Sequence, residues 1–263
     1  MSLAKYIEAG KIELLTRLTY VLDSISSALF IGVILLTYVF LWRAVYSHGT
    51  RVIEGYTLAM MVWYLVLTES IVFSPGHLIE EIGQDIQTGN IAQNLNKPYN
   101  YLFFKYSSSM AKTLLRFVIT FLIGSVIVFI FLGGISVSYF SIPLILVVTL
   151  LALTLHFMIM SCLGVLVFWL EDGASIYFIY QKIVFVLGGM LIPLEIFPSW
   201  LQVISKHLPF SYIAYYPAKL LVQFSWSLFF QTILYQLLWI AGFLGFTLVL
   251  YQICIQKISI NGG

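Results

Sequence analysis

Six runs of this chain, 24–46, 55–73, 114–132, 142–170, 174–192 and 228–255, stay apolar for about the ~20 residues that a helix needs to cross a bilayer. Inside lipid a spanning segment must satisfy its own backbone N–H and C=O groups, so runs of this length imply helices rather than an open sheet. Only 9% of the residues are charged and 61% are hydrophobic, whereas roughly a quarter are charged in a soluble domain. Lipid is therefore the expected solvent. The 263 residues hold six spans and their connections but no separate soluble domain. The fold class expected is an all-α polytopic membrane protein with one transmembrane domain over 1–263.

Six spans place both termini on one side, and the Lys/Arg bias selects that side. With the termini inside, cytoplasmic segments carry Lys5, Lys11, Arg17, Lys97, Lys105, Lys112, Arg116 and Lys257. Outer segments carry only Arg43, Arg51, Lys206 and Lys219. The expected location is the plasma (inner) membrane, multi-pass, with both termini cytoplasmic and lipids as immediate partners. A net charge of +2 scattered along membrane edges gives no footprint for nucleic acid. The first residues alternate charged and apolar positions, so no cleaved signal peptide is expected. Cys162 and Cys254 sit in apolar runs and read as packing residues.

Polar interruptions carry the next layer of meaning. In the segment 75–98, Pro75 suits a first helical turn, and Leu78, Ile82 and Ile86 then recur every four residues beside Ile79. Glu80, Glu81, Gln84 and Asp85 face elsewhere, which gives a short amphipathic helix beneath the membrane. Thr88-Gly89 interrupts it, Ile91 and Leu95 add a second stripe, and Pro98 stops the run. Such an elbow transmits motion if a soluble protein holds it; the plainer reading is a solvated loop resting on lipid. Within 1–20, Leu3, Ile7, Leu14 and Leu18 share a helix face, which fits either an interfacial helix or a cytoplasmic extension of the first span. Outside, over 193–227, a Gly pair and Pro193 end the fifth span. Phe197 and Pro198 open a short helix that Pro209 closes. Trp200, Leu201 and Ile204 suit a re-entrant helix, and Tyr212, Tyr215 and Tyr216 an interfacial aromatic belt.

Three motifs taken in order carry a resemblance. They are Glu81-Ile82-Gly83-Gln84-Asp85-Ile86-Gln87-Thr88-Gly89 running on to Lys97-Pro98, the turn Phe168-Trp169-Leu170-Glu171-Asp172, and Gly188-Gly189-Met190-Leu191-Ile192-Pro193 followed by Phe197-Pro198-Ser199-Trp200-Leu201 and Leu208-Pro209-Phe210. Over nearly its whole length the chain resembles a permease subunit of type-2 ABC exporters, and more narrowly bacterial permeases for antibiotic or viologen export. Lys97 stands where Arg more often precedes the Pro, keeping the charge without the bidentate fork.

The resemblance implies two permease subunits, identical or paired with a sister permease, bound to two cytoplasmic ABC ATPase subunits. The elbow becomes the coupling helix, with Leu78, Glu81, Ile82, Asp85, Ile86, Gly89, Leu95 and Lys97 as its contact residues and Glu171 and Asp172 forming a neighbouring cytoplasmic turn. The second and fifth spans would line the interface between halves. The sequence has no Gly-x-x-x-x-Gly-Lys-Ser/Thr loop, so no nucleotide cofactor is expected in this chain and Mg-ATP belongs on the partner. The implied activity is outward movement of an amphiphile, such as a drug, antibiotic, lipid or glycolipid.

Ionisable residues inside spans are functional candidates because burying them in lipid is costly. Lys182 in the fifth span and Glu69 in the second are a candidate ion pair on the translocation path, with Tyr177 and Tyr180 nearby; His156 reads as a packing residue. These groups also permit a gradient-driven secondary transporter. A lipid-modifying membrane enzyme is the weaker rival, because no His and carboxylate converge at a catalytic spacing.

Overall fold

The computed structural model describes residues 4–19, 21–47, 52–90, 97, 99–135 and 139–261. Among them there is no β-strand, and eleven α-helices with one 3-10 turn account for the fold. They are α1 (Ala4–Thr19), α2 (Val21–Ser47), α3 (Leu58–Phe73), α4 (Leu78–Gln87), α5 (Tyr101–Leu132), α6 (Ser141–Leu170), α7 (Gly173–Leu187), the 3-10 turn Leu194–Ile196, α8 (Ser199–His207), α9 (Pro209–Ile213), α10 (Tyr215–Val222) and α11 (Trp226–Asn261). Five helical stretches are long and apolar enough to cross a membrane: Leu29–Ser47, Leu58–Gln87, Tyr101–Leu132, Ser141–Leu170 and Trp226–Gln256. The second breaks at residues 74–77 into α3 and the amphipathic α4.

The core is built around α3, whose residues from Tyr64 to Val72 are all buried. It packs on α2, α5 and α10, while α6 packs on α4 and α11. The Thr57 hydroxyl caps α3, and the Asn100 side chain caps α5 by accepting from the N–H groups of Leu102 and Phe103.

Several boundaries differ from the sequence reading. The third apolar run spans 114–132 in the sequence, but α5 begins at Tyr101. Lys105 and Lys112 interrupt the hydropathy without breaking the helix, because acidic groups on α1 and α4 neutralise them. The fifth run was carried to residue 192, but α7 ends at Leu187 after fifteen residues. At about 1.5 Å per residue that helix is near 22 Å long and short of the hydrocarbon core. The unwound backbone beyond it is buried in protein: Tyr64 donates to Gly189 O, Thr68 Oγ1 donates to Met190 O at 2.9 Å, and Tyr215 N donates to Gly188 O at 3.1 Å. Irregular backbone at membrane depth is tolerated only under such satisfaction.

Residues 194–222 form a 3-10 turn and three short helices. The helix expected to dip inward is α8, whose Trp200, Val203 and Ile204 are exposed. The elements that pack into the bundle are α9, against α6 and α11, and α10, against α3 and α6. Tyr212, Tyr215 and Tyr216, read as an aromatic belt, are buried there, and the rings of Tyr212 and Tyr216 stack at 4.5 Å. Pro193 and Pro209 are buried, Phe197 is half-buried and Pro198 is exposed at the start of α8. In α1, Ile7, Leu14 and Leu18 are exposed while Tyr6, Gly10, Glu13 and Arg17 are the less exposed positions; α1 packs along α5. Leu3 lies outside the described residues.

Candidate functional site

The 3.6-residue period of α4 sets one face of the candidate site. Leu78, Ile79, Ile82 and Ile86 are buried, and burying such side chains contributes about 1.5–3 kcal/mol each. The contact with α6 is close because both helices present glycine. A Cβ on Gly83 would lie 2.7 Å from Val167 Cγ1, and one on Gly164 would lie 2.8 Å from Ile82 Cβ. This packing seats α4 on the last turns of α6 and on α7.

The α6–α7 turn completes that face. Glu171 adopts a left-handed conformation, with φ of 60°, and its N–H donates to Val167 O at 2.8 Å. Asp172 caps α7 by accepting from Ser175 N at 3.0 Å. Hydrogen bonds from the Ser175 side chain and then its backbone hold the Asp172 carboxyl below the usual range. Gln87 Nε2 donates to Glu171 O at 2.8 Å, tying the end of α4 to the turn. Between them lies a pocket of about 220 Å³ lined by Glu80, Gln84, Gln87 and Asp172. Gln84, Gln87, Thr88, Glu171 and Asp172 are exposed.

Glu81 and Asp85, both partly exposed, are tied into an ionic network. Lys105 Nζ lies 3.2 Å from both Glu81 Oε2 and Asp85 Oδ2, and Tyr101 donates to Asp85 at 2.7 Å. Lys112 bridges Glu81 at 3.5 Å and Glu13 at 3.7 Å, and Arg17 pairs with Glu13 at 3.0 Å. One ionic network thus joins α1, α4 and α5. Gly89, with φ of 74°, ends α4 and has open space around its Cα. Lys97 is exposed, with Nζ 5.8 Å from the Tyr99 ring centroid. Leu95, Ile91 and Pro98 lie outside the described residues.

The Lys182–Glu69 pair is not formed. Tyr180 and Val184 face the core, which turns Lys182 outward, where its Nζ sits 4.8 and 5.0 Å from the ring centroids of Phe178 and Phe185. Glu69 is fully buried on α3, and neither carboxylate oxygen has a hydrogen-bond partner among the described residues. Tyr180 packs 5.6 Å from the His156 ring, while Tyr177 lines a cavity between α2, α3, α5 and α7.

At the opposite end a polar cluster holds the short elements that pack into the bundle, and the sequence reading did not group it. Glu195 accepts from Lys219 and Tyr215, and from Tyr56 at 3.2 Å; Gln202 Nε2 donates to Glu195 O at 3.1 Å. Burial raises the Glu195 pKa, but the hydrogen bonds and charge of Lys219 with the Tyr215 hydroxyl outweigh it and leave the carboxyl below its usual value. Buried Gln236 of α11 donates to Val148 O at 3.1 Å and Tyr212 O at 3.0 Å, fixing α9. The 24-residue separation of Glu195 and Lys219 carries no periodic signal. Only a polar residue alone in an apolar run, as Gln236 is, marks itself in the sequence.

No individually curated protein matches the chain. The family model described as ABC-2 family transporter protein matches residues 32–262. A membrane-embedded helical bundle, an amphipathic elbow seated beside the α6–α7 turn, and that match over most of the chain converge: the protein belongs to the ABC-2 transporter family as an ABC permease.

Proposed function

We propose that the chain is the permease subunit of an ATP-driven exporter that carries an amphiphile outward across the plasma membrane. In this reading α2, α3, α5, α6, α11 and α7 continued by the unwound backbone beyond Leu187 make six crossings, both termini are cytoplasmic, and two copies or a copy and a sister permease form the path. ABC-2 permeases work with ABC ATPase subunits. The observation that carries the reading is the wedge of α4 between α6 and α7, which leaves Gln84, Gln87, Glu171 and Asp172 presented together on one exposed surface. A soluble ATPase gripping that surface moves α6 and α7 with it, because glycine-to-side-chain contact couples α4 to α6 without slack.

The test is affinity purification of the tagged protein from its native membranes in mild detergent, with identification of co-purifying chains and an ATPase assay. The expected result is a nucleotide-hydrolysing partner that Gln84→Arg with Asp172→Arg removes, while Glu81→Gln, which loosens the ionic network with Lys105 and Lys112, lowers stability and leaves the partner bound. Transport by a preparation that contains no ATPase would instead establish a gradient-driven carrier.

A further inference from the structure

Arg116 differs from the ion-paired Lys105, Lys112 and Arg17 at its end of the bundle. Lys105, Lys112 and Arg17 each pair with a carboxylate of α1 or α4. Arg116 is half-buried on α5, and among the described residues no carboxylate or carbonyl accepts an ion pair or hydrogen bond from it. It lines a cavity of about 640 Å³ between α2, α3, α5 and α7. The bend after α3 is shaped around it: at Gly76, where φ is 68°, a Cβ would lie 2.5 Å from Arg116 Nη1.

The cavity has two chemistries. At the Arg116 end, Gln181 Nε2 donates to the Tyr177 hydroxyl at 2.7 Å, so the Tyr177 O–H remains available as a donor to a ligand. Phe30 and Ile34 of α2 and Phe73 of α3 make the remaining wall apolar. His77 stands at the rim, where Glu80 lies 3.2 Å from its Nδ1; that carboxylate is engaged with the imidazole rather than with Arg116.

We propose that this cavity binds an amphiphile with an anionic headgroup, the Arg116 fork and the Tyr177 hydroxyl taking the headgroup and the α2–α3 wall taking the tail. A guanidinium withdrawn from water gains most from a bidentate oxyanion, and a phosphate, sulfate or carboxylate head supplies one. The volume suits a headgroup with the first part of a chain, within the ~300–1,000 Å³ common for small-molecule sites. The exporter reading supplies only the consequence, that the bound amphiphile is cargo; the binding itself is a property of this chain alone.

The test uses the purified permease without ATPase, in neutral detergent, titrated with dioctanoyl phosphatidylglycerol, dioctanoyl phosphatidylcholine or inorganic phosphate. Saturable binding is expected for phosphatidylglycerol, about tenfold or more tighter than for phosphatidylcholine, and no competition from phosphate at equal concentration. Arg116→Gln and Gln181→Glu should each weaken phosphatidylglycerol by about tenfold or more, and Arg116→Lys by less, with thermal midpoints reporting that each variant is folded. Equal affinity for the two lipids, or unchanged binding by folded Arg116→Gln, would overturn the assignment. Phosphate competing as well as the lipid would reduce the site to a free-anion site and overturn the amphiphile. Because no ATPase is present, loss of the exporter reading would leave these results standing.

Discussion

At the residue scale, the polar groups inside the fold differ in how they are satisfied. Glu195 has donors on three sides, so Lys219→Met strands a largely buried carboxylate and should cost about 2–4 kcal/mol, read as a lowered thermal midpoint in detergent. Its depressed folded pKa fixes the sign of the pH effect. The contribution is complete above the ordinary carboxyl range and is lost as pH falls through the lower folded value, so the wild-type midpoint should fall in acid and that of Glu195→Gln should fall less. Glu69 is the opposite case, a buried carboxylate without a partner among the described residues. Glu69→Gln should hold or raise the thermal midpoint, whereas a counter-ion role would make the same change destabilising. Gly164→Ala places a Cβ against the stem of Ile82, and overpacking of this kind costs about 1–3 kcal/mol, partly offset by ~1 kcal/mol of helix propensity.

At the element scale, α4 shows what is legible in a sequence and what is not. The spacing of Leu78, Ile82 and Ile86 marks the face that the fold buries, because helical period is a local property. The direction in which Glu81 and Asp85 point is not local: Lys105 and Lys112, twenty or more residues away on a helix that the hydropathy profile begins too late, pair with them. The same limit applies to Tyr212, Tyr215 and Tyr216. An aromatic cluster after a proline has the composition of an interfacial belt, and nothing local reports that carbonyls at Gly188–Met190 need donors from α3 and α10. Gln236→Leu removes the hydrogen bond to Tyr212 O on α9 together with the one to Val148 O on α6, so faster proteolysis within residues 209–222 is expected relative to wild type.

At the scale of the whole molecule, the fold has two differently built ends. One end couples α1, α4 and α5 through ions and α4 with α6 through close packing; the other ties the 3-10 turn and α10 to Tyr56, just ahead of α3, through Glu195. Family membership makes the bundle the membrane half of a transporter, and in the proposed function force enters through the exposed side of α4 and the α6–α7 turn. The most direct measurement is photo-crosslinking in native membranes from a reactive residue placed at Gln84, with Trp200 on α8 as the control. An ATPase captured from position 84 and not from 200 is the expected result. Capture from 200 alone, or none from 84 in a preparation that transports, would contradict the account.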